Sequence, residues 1–196
     1  MQFYKKFLRL ILVLSIGIFV LSGCGSSDDS KKTDDKPKNT DTNKISDIKL
    51  NTKDLTLKNI DSYTIVTSNK STSVKDNNIT LEKNKKDLIA LVDDAGIPIL
   101  FGRKYPGKEK AELSLDSSAE VFVLYSPKFQ GIKDSNQVEL SKRIRNNKDF
   151  SKLKKAIKNE INNGNPCPLD PVCNFKARDI ALEIANEIKI DDLISK

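Results

Sequence analysis

Histidine is absent from this chain of 196 residues. That removes the Ser-His-Asp and Cys-His catalytic sets, whose general base is an imidazole. It also removes every metal site built on histidine nitrogen. No G-x-x-x-x-G-K-[ST] phosphate loop and no G-x-S-x-G nucleophile turn occur. Long apolar runs are lacking too. The longest, residues 10–21 (LILVLSIGIFVL), would span roughly 18 Å as a helix, and a bilayer core is about 30 Å thick. The chain is also too short for a two-lobed solute-binding receptor. These absences point away from the common hydrolases and uptake receptors, and towards a binding or structural role.

The N-terminus is organised. Lys5, Lys6 and Arg9 precede the apolar run, and small residues follow it up to Cys24. A basic start, a short apolar core and a small-residue exit have the layout of a secretory signal. The stretch LSGC, residues 21–24, resembles the lipobox of bacterial lipoproteins, and all four positions match that pattern. The resemblance implies a signal peptide over residues 1–23, cleavage before Cys24, and a diacylglycerol on the Cys24 sulfur. Palmitate or a similar acyl chain would then hold the protein on the extracytoplasmic face of the cell membrane. Two acyl chains anchor stably, because each buried CH₂ contributes about 0.8 kcal/mol. Gly25 is not the acidic retention residue of some Gram-negative lipoproteins, which points to a Gram-positive envelope.

Residues 24–49 alternate Asp with Lys and hold hardly anything apolar. Such a segment cannot offset its ordering entropy by burial, so it reads as a disordered polar tether. Its Asp pairs lack calcium-loop spacing.

The rest suits one compact α+β domain, with a small antiparallel β part over 50–115 and a helical part over 116–196. Strand-like runs occur at SYTIVT (62–67), NITL (78–81), LIALVD (88–93), IPILFG (97–102) and AELSL (111–115). Asp93 to Gly96 make a hairpin connection, and Pro98 belongs at the edge or start of a strand. Ser117 followed by Glu120 has capping-box spacing and predicts a buried helix ending before Pro127. The run EVFVLY also fits a buried strand, and its period does not separate the two. Leu140 with Ile144 marks one helix, and Phe150, Leu153, Ile157 and Ile161 mark another that stops at Gly164. Ala177, Ile180, Ala181, Ile184 and Ile188 mark the last. Residues 93–98 and 117–127 resemble a module of uncharacterised bacterial surface lipoproteins, a likeness that implies no chemistry.

With Cys24 lipidated, Cys167 and Cys173 remain as an even pair. In an exported protein that predicts a disulfide across a proline-stiffened loop. The spacing is unlike C-x-x-C, and no metal or cofactor is expected.

The net charge is +7. Its source is residues 141–158, where Lys142, Arg143, Arg145, Lys148, Lys152, Lys154, Lys155 and Lys158 face Asp149 alone. A basic helical face of this kind suits anionic envelope polymers or lipids, or it only solvates the surface. Nucleic acid is not expected, since aromatics are not interleaved with the basic residues. Glu112, Asp116 and Glu120 are the carboxylates closest to a glycosidase pair, although helix-capping acids explain Asp116 and Glu120 better. The reading is a membrane-anchored, non-catalytic binding or envelope-interaction module. A carboxylate-dependent cell-wall hydrolase and a purely structural envelope component are the alternatives.

Overall fold

The computed structural model describes residues 47–76, 79–82 and 84–194. The signal segment, Cys24 and almost all of the tether lie outside the described residues. Strand β1 (Ile48–Leu50) is followed by β2 (Thr64–Val66), β3 (Ser71–Ser73), β4 (Asp87–Val92), β5 (Pro98–Lys104) and β6 (Ala111–Leu113). Five helices follow: α1 (Leu115–Leu124), α2 (Gln137–Arg145), α3 (Phe150–Asn162), α4 (Phe175–Glu187) and the single turn α5 (Asp191–Ile194). The architecture is α+β, with sheets first and helices after.

Four strands form an antiparallel sheet in the order β3-β2-β4-β5. Its β4–β5 hairpin turns at Asp93 to Gly96, where Gly96 takes a φ of +81° that glycine adopts without strain. Asp93 Oδ1 accepts from the backbone N–H groups of Ala95 and Ile97 and fixes the turn. Pro98 opens β5 on the sheet's edge, where its missing N–H costs no ladder bond.

A second, parallel pair joins β1 to β6. This is one departure from the purely antiparallel expectation. The partners are distant in sequence, and no local pattern announces such pairing. Strand β1 also takes residues 48 and 49 out of the segment read as tether. Asp47 joins them: its carboxylate accepts from the Leu81 N–H at 2.8 Å and its own N–H reaches the Ile79 carbonyl. The NITL run is therefore not a ladder strand. Ile79 and Leu81 are buried, but side chains and single backbone bonds hold them. Strand β3 lies where no strand-like run was read from the sequence.

Helix α1 packs against β5, α2, α3 and α4 and is buried from Ser117 to Val123. Its cap is Ser114, which accepts from the Ser117 N–H at 3.1 Å, while Ser117 Oγ accepts from the Ser114 N–H at 2.8 Å. The expected cap was Ser117 with Glu120. The helix starts a turn earlier because β6 ends at Leu113 and Ser114 is the first extended residue able to cap it. The Ser117 hydroxyl donates to the Phe101 carbonyl at 2.7 Å, while Ser118 Oγ accepts from the Phe101 N–H at 2.8 Å and donates to the Ser114 carbonyl at 2.7 Å. Helix and strand are thereby stitched together. At the neighbouring Gly102 a Cβ would lie 2.1 Å from the Glu112 carbonyl oxygen, so only glycine lets β6 approach β5 so closely.

The core is continuous through Ile65, Ile89, Leu91, Leu100, Leu113, Leu140, Ile144, Leu153, Ile157 and Ile184, all 0–1 % exposed. Burial of each such side chain contributes about 1.5–3 kcal/mol. Lys104 is equally buried, its ammonium donating to the Glu82 and Lys85 carbonyls at 2.8 and 3.2 Å.

Candidate functional site

Ionisable groups converge where β5, β6, α1, α2 and α3 meet. Glu120 sits on α1 with 2 % of its side chain exposed. Arg145, at the C-terminal end of α2, donates from Nε to Glu120 Oε2 at 2.6 Å. Tyr105, just beyond β5, donates its hydroxyl to Glu120 Oε1. Both carboxylate oxygens are thus occupied. Arg145 Nη1 lies 3.7 Å from Glu112 of β6, and Lys154 of α3 lies 2.6 Å from Asp116 of α1. Arg103 donates to Gln137 and rests 5.4 Å from the centre of the Tyr105 ring.

The electrostatics follow from burial. Burial, then the Glu120 charge and the hydrogen bond to it, push the Tyr105 phenol well above its ordinary value of 10.0. Burial opposes the charge on Arg145, but the carboxylates of Glu120, Glu112 and Asp116 outweigh it and hold the guanidinium protonated. Among the described residues every buried side-chain nitrogen or oxygen has a partner.

The fold therefore brings Glu112, Asp116 and Glu120 together, and each faces a cation. A glycosidase pair needs one carboxyl that keeps its proton in an apolar setting and room for a sugar between the two. What stands here is a polar pin joining the exit of β5 to α1 and α2. Tyr105, Arg103, Gln137 and Ser141, whose hydroxyl is hydrogen-bonded to Tyr105, belong to it and were not singled out from the sequence. KYPGK reads as turn, and nothing in its local pattern says that the tyrosine points inward.

The basic segment is redistributed by folding. Lys142 and Arg143 pair with Glu139, Arg143 also with Asp192, Lys148 with Glu187 and Lys152 with Asp149. Counting Arg145 and Lys154, six of the eight cations are ion-paired. All their acidic partners except Asp149 lie outside residues 141–158, so the local +7 is a property of the sequence window and not of the surface. The bond from Arg143 holds the Asp192 carboxyl below the usual range, and bonds from Lys148 and Asn147 do the same for Glu187. Among the described residues Lys155 and Lys158 have no ion-pair partner.

Cys167 and Cys173 are joined by a disulfide with Cα atoms 5.9 Å apart. Backbone bonds from Asp170 N–H to the Cys167 carbonyl and from Cys173 N–H to the Asp170 carbonyl shape the same loop. Asn174 then caps α4 by accepting from the Ala177 N–H, and its amide donates back to the Pro168 carbonyl.

No protein-family model, curated protein or solved structure matches the chain. Among the described residues no cluster of three metal-ligating side chains occurs, and no helix is long and apolar enough to cross a membrane.

Proposed function

We propose that this chain is a lipid-anchored extracytoplasmic lipoprotein whose domain is a non-catalytic envelope-interaction module. The observation that carries the reading is LSGC at residues 21–24, directly after a basic start and a twelve-residue apolar run. The Cys167–Cys173 disulfide supports it, since such bonds persist in oxidising compartments. The ion pairs at Glu112, Asp116 and Glu120 support the non-catalytic part over the hydrolase alternative. Anionic polymers or lipids of the envelope are the proposed partners, met through the uncompensated Lys155 and Lys158. Cations near an anionic membrane contribute about 1 kcal/mol each, so this contact is weak and depends on the tether for local concentration.

One experiment tests both parts. The full chain expressed in a bacterium should enter the detergent phase on partitioning, and Cys24→Ala should move it to the aqueous phase. The released Cys24→Ala protein should then sediment with anionic vesicles at low salt and lose that binding in the Lys155→Gln, Lys158→Gln background. Wild-type protein that stays aqueous overturns the anchoring. Vesicle binding that ignores the two lysines overturns the proposed contact.

A further inference from the structure

Helix α4 buries Ala177, Ala181, Ile184 and Ala185 and turns the opposite side to water. That outer side is not simply polar. Phe175 is 57 % exposed and Leu182 is 42 % exposed, although large apolar side chains are ordinarily covered. They stand seven residues apart, two helical turns or about 10.5 Å, on one stripe. Asp179 lies between them on the same stripe. Arg178 leans its guanidinium over the Phe175 ring at 4.8 Å and pairs with Asp179 at 2.9 Å.

The charges beside the stripe repeat that interval. Lys176 and Glu183 are also seven residues apart and both are exposed; among the described residues neither forms a contact ion pair, and Glu183 feels Lys148 and Lys152 only through the field. From this self-complementarity we infer that α4 is the contact surface for a second copy of the same chain, packed antiparallel about a two-fold axis near residues 178–179. The axis places Phe175 of one copy against Leu182 of the other. It places Lys176 against the other copy's Glu183. Symmetry repeats each contact, as an isologous interface requires. The two Asp179 carboxylates meet near the axis, each already compensated by its own Arg178. A parallel two-fold would carry Lys176 and Glu183 of the two copies to opposite flanks of the stripe and leave them unpaired, so charge selects the antiparallel arrangement.

The patch is smaller than the 20–30 residues a side, or about 800 Å² per partner, of stable complexes, so the pairing is weak and reversible. It is independent of the anchoring reading, because the contact is made by the domain alone.

The test is site-directed cross-linking of the purified full chain in mild detergent, in a Cys24→Ser background. Asp179→Cys, close to the axis, should form covalent dimers on mild oxidation about tenfold faster than Ser151→Cys on the exposed side of α3, as about 1.4 kcal/mol of specific association would give. Lys176→Glu or Glu183→Lys alone should slow the Asp179→Cys reaction, and the two together should restore it. Circular dichroism checks that each variant is folded. Equal rates at the two cysteines overturn the interface. Single reversals without effect, or a double reversal that does not restore the rate, overturn the antiparallel register.

Discussion

Glu120 and Glu187 are both glutamates held by a base at nearly the same distance, 2.6 Å from Arg145 and 2.8 Å from Lys148. Their settings differ. Glu120 has lost 98 % of its side-chain exposure and takes a second bond from Tyr105. Glu187 keeps 44 % of its side chain in water, as Lys148 keeps 72 %. In the first case desolvation makes Arg145 indispensable to Glu120, because the carboxylate left alone would have no solvent to turn to. In the second, water replaces whatever is removed. The teaching of the pair is that separation alone does not rank ion pairs. Burial does.

Three outcomes sharpen that contrast. The largest is for Glu120→Ala, which strands Arg145 and the Tyr105 hydroxyl. Breaking a buried pair costs 3–5 kcal/mol, and the value here should be about 3, because Arg145 keeps 37 % of its side chain in water. Urea unfolding measures it, and a loss below ~1 kcal/mol would put Glu120 on a par with a surface acid.

Next comes Tyr105→Phe, which removes one hydrogen bond to a charged group and should cost about 2 kcal/mol at neutral pH. It carries a pH signature as well. Because the folded fold holds the phenol above 10.0, the stabilisation is complete below that pH and drains away as pH climbs through the raised value. Wild type should therefore lose more stability than Tyr105→Phe above pH 10. Parallel alkaline curves would place the phenol outside the network.

The smallest effect is for Lys148→Gln. Its unfolding midpoint should match wild type at all salt concentrations above physiological, where exposed pairs are screened. A clear drop would mean that the outer ion pairs act as a connected network.

The same contrast explains what was readable from the residues alone. Phe150, Leu153, Ile157 and Ile161 were legible as α3 because that helix has one dry face and one wet one. EVFVLY stayed ambiguous because α1 is enclosed on all sides, and enclosure erases the period that separates helix from strand. Strand β1 hid beside a polar tether, and only Ala111 to Leu113 far along the chain make it a strand. Strand β3, three small hydroxyl residues, carries no apolar alternation at all. The even cysteine pair was legible by counting. The charge of residues 141–158 was not, since its neutralising acids come from β6, α1, α4 and α5, elements a sequence window cannot see. In the candidate site the acids, Arg145 and Lys154 were all visible, but their pairing and the part of Tyr105 were not, for the same reason.

The serine stitches at Phe101 have a further consequence. Strand β5 borders the four-stranded sheet, and a bordering strand normally displays free N–H and C=O groups that invite another chain to add on. At Phe101 both groups are already committed to hydroxyls of α1, so a stray strand arriving there finds neither donor nor acceptor. Beside it, Gly102 is roofed by the Glu112 carbonyl. The long border of the sheet is thus blocked at its middle by two serines and a glycine, and the opposite border is the three-residue β3, too short to template a fibril.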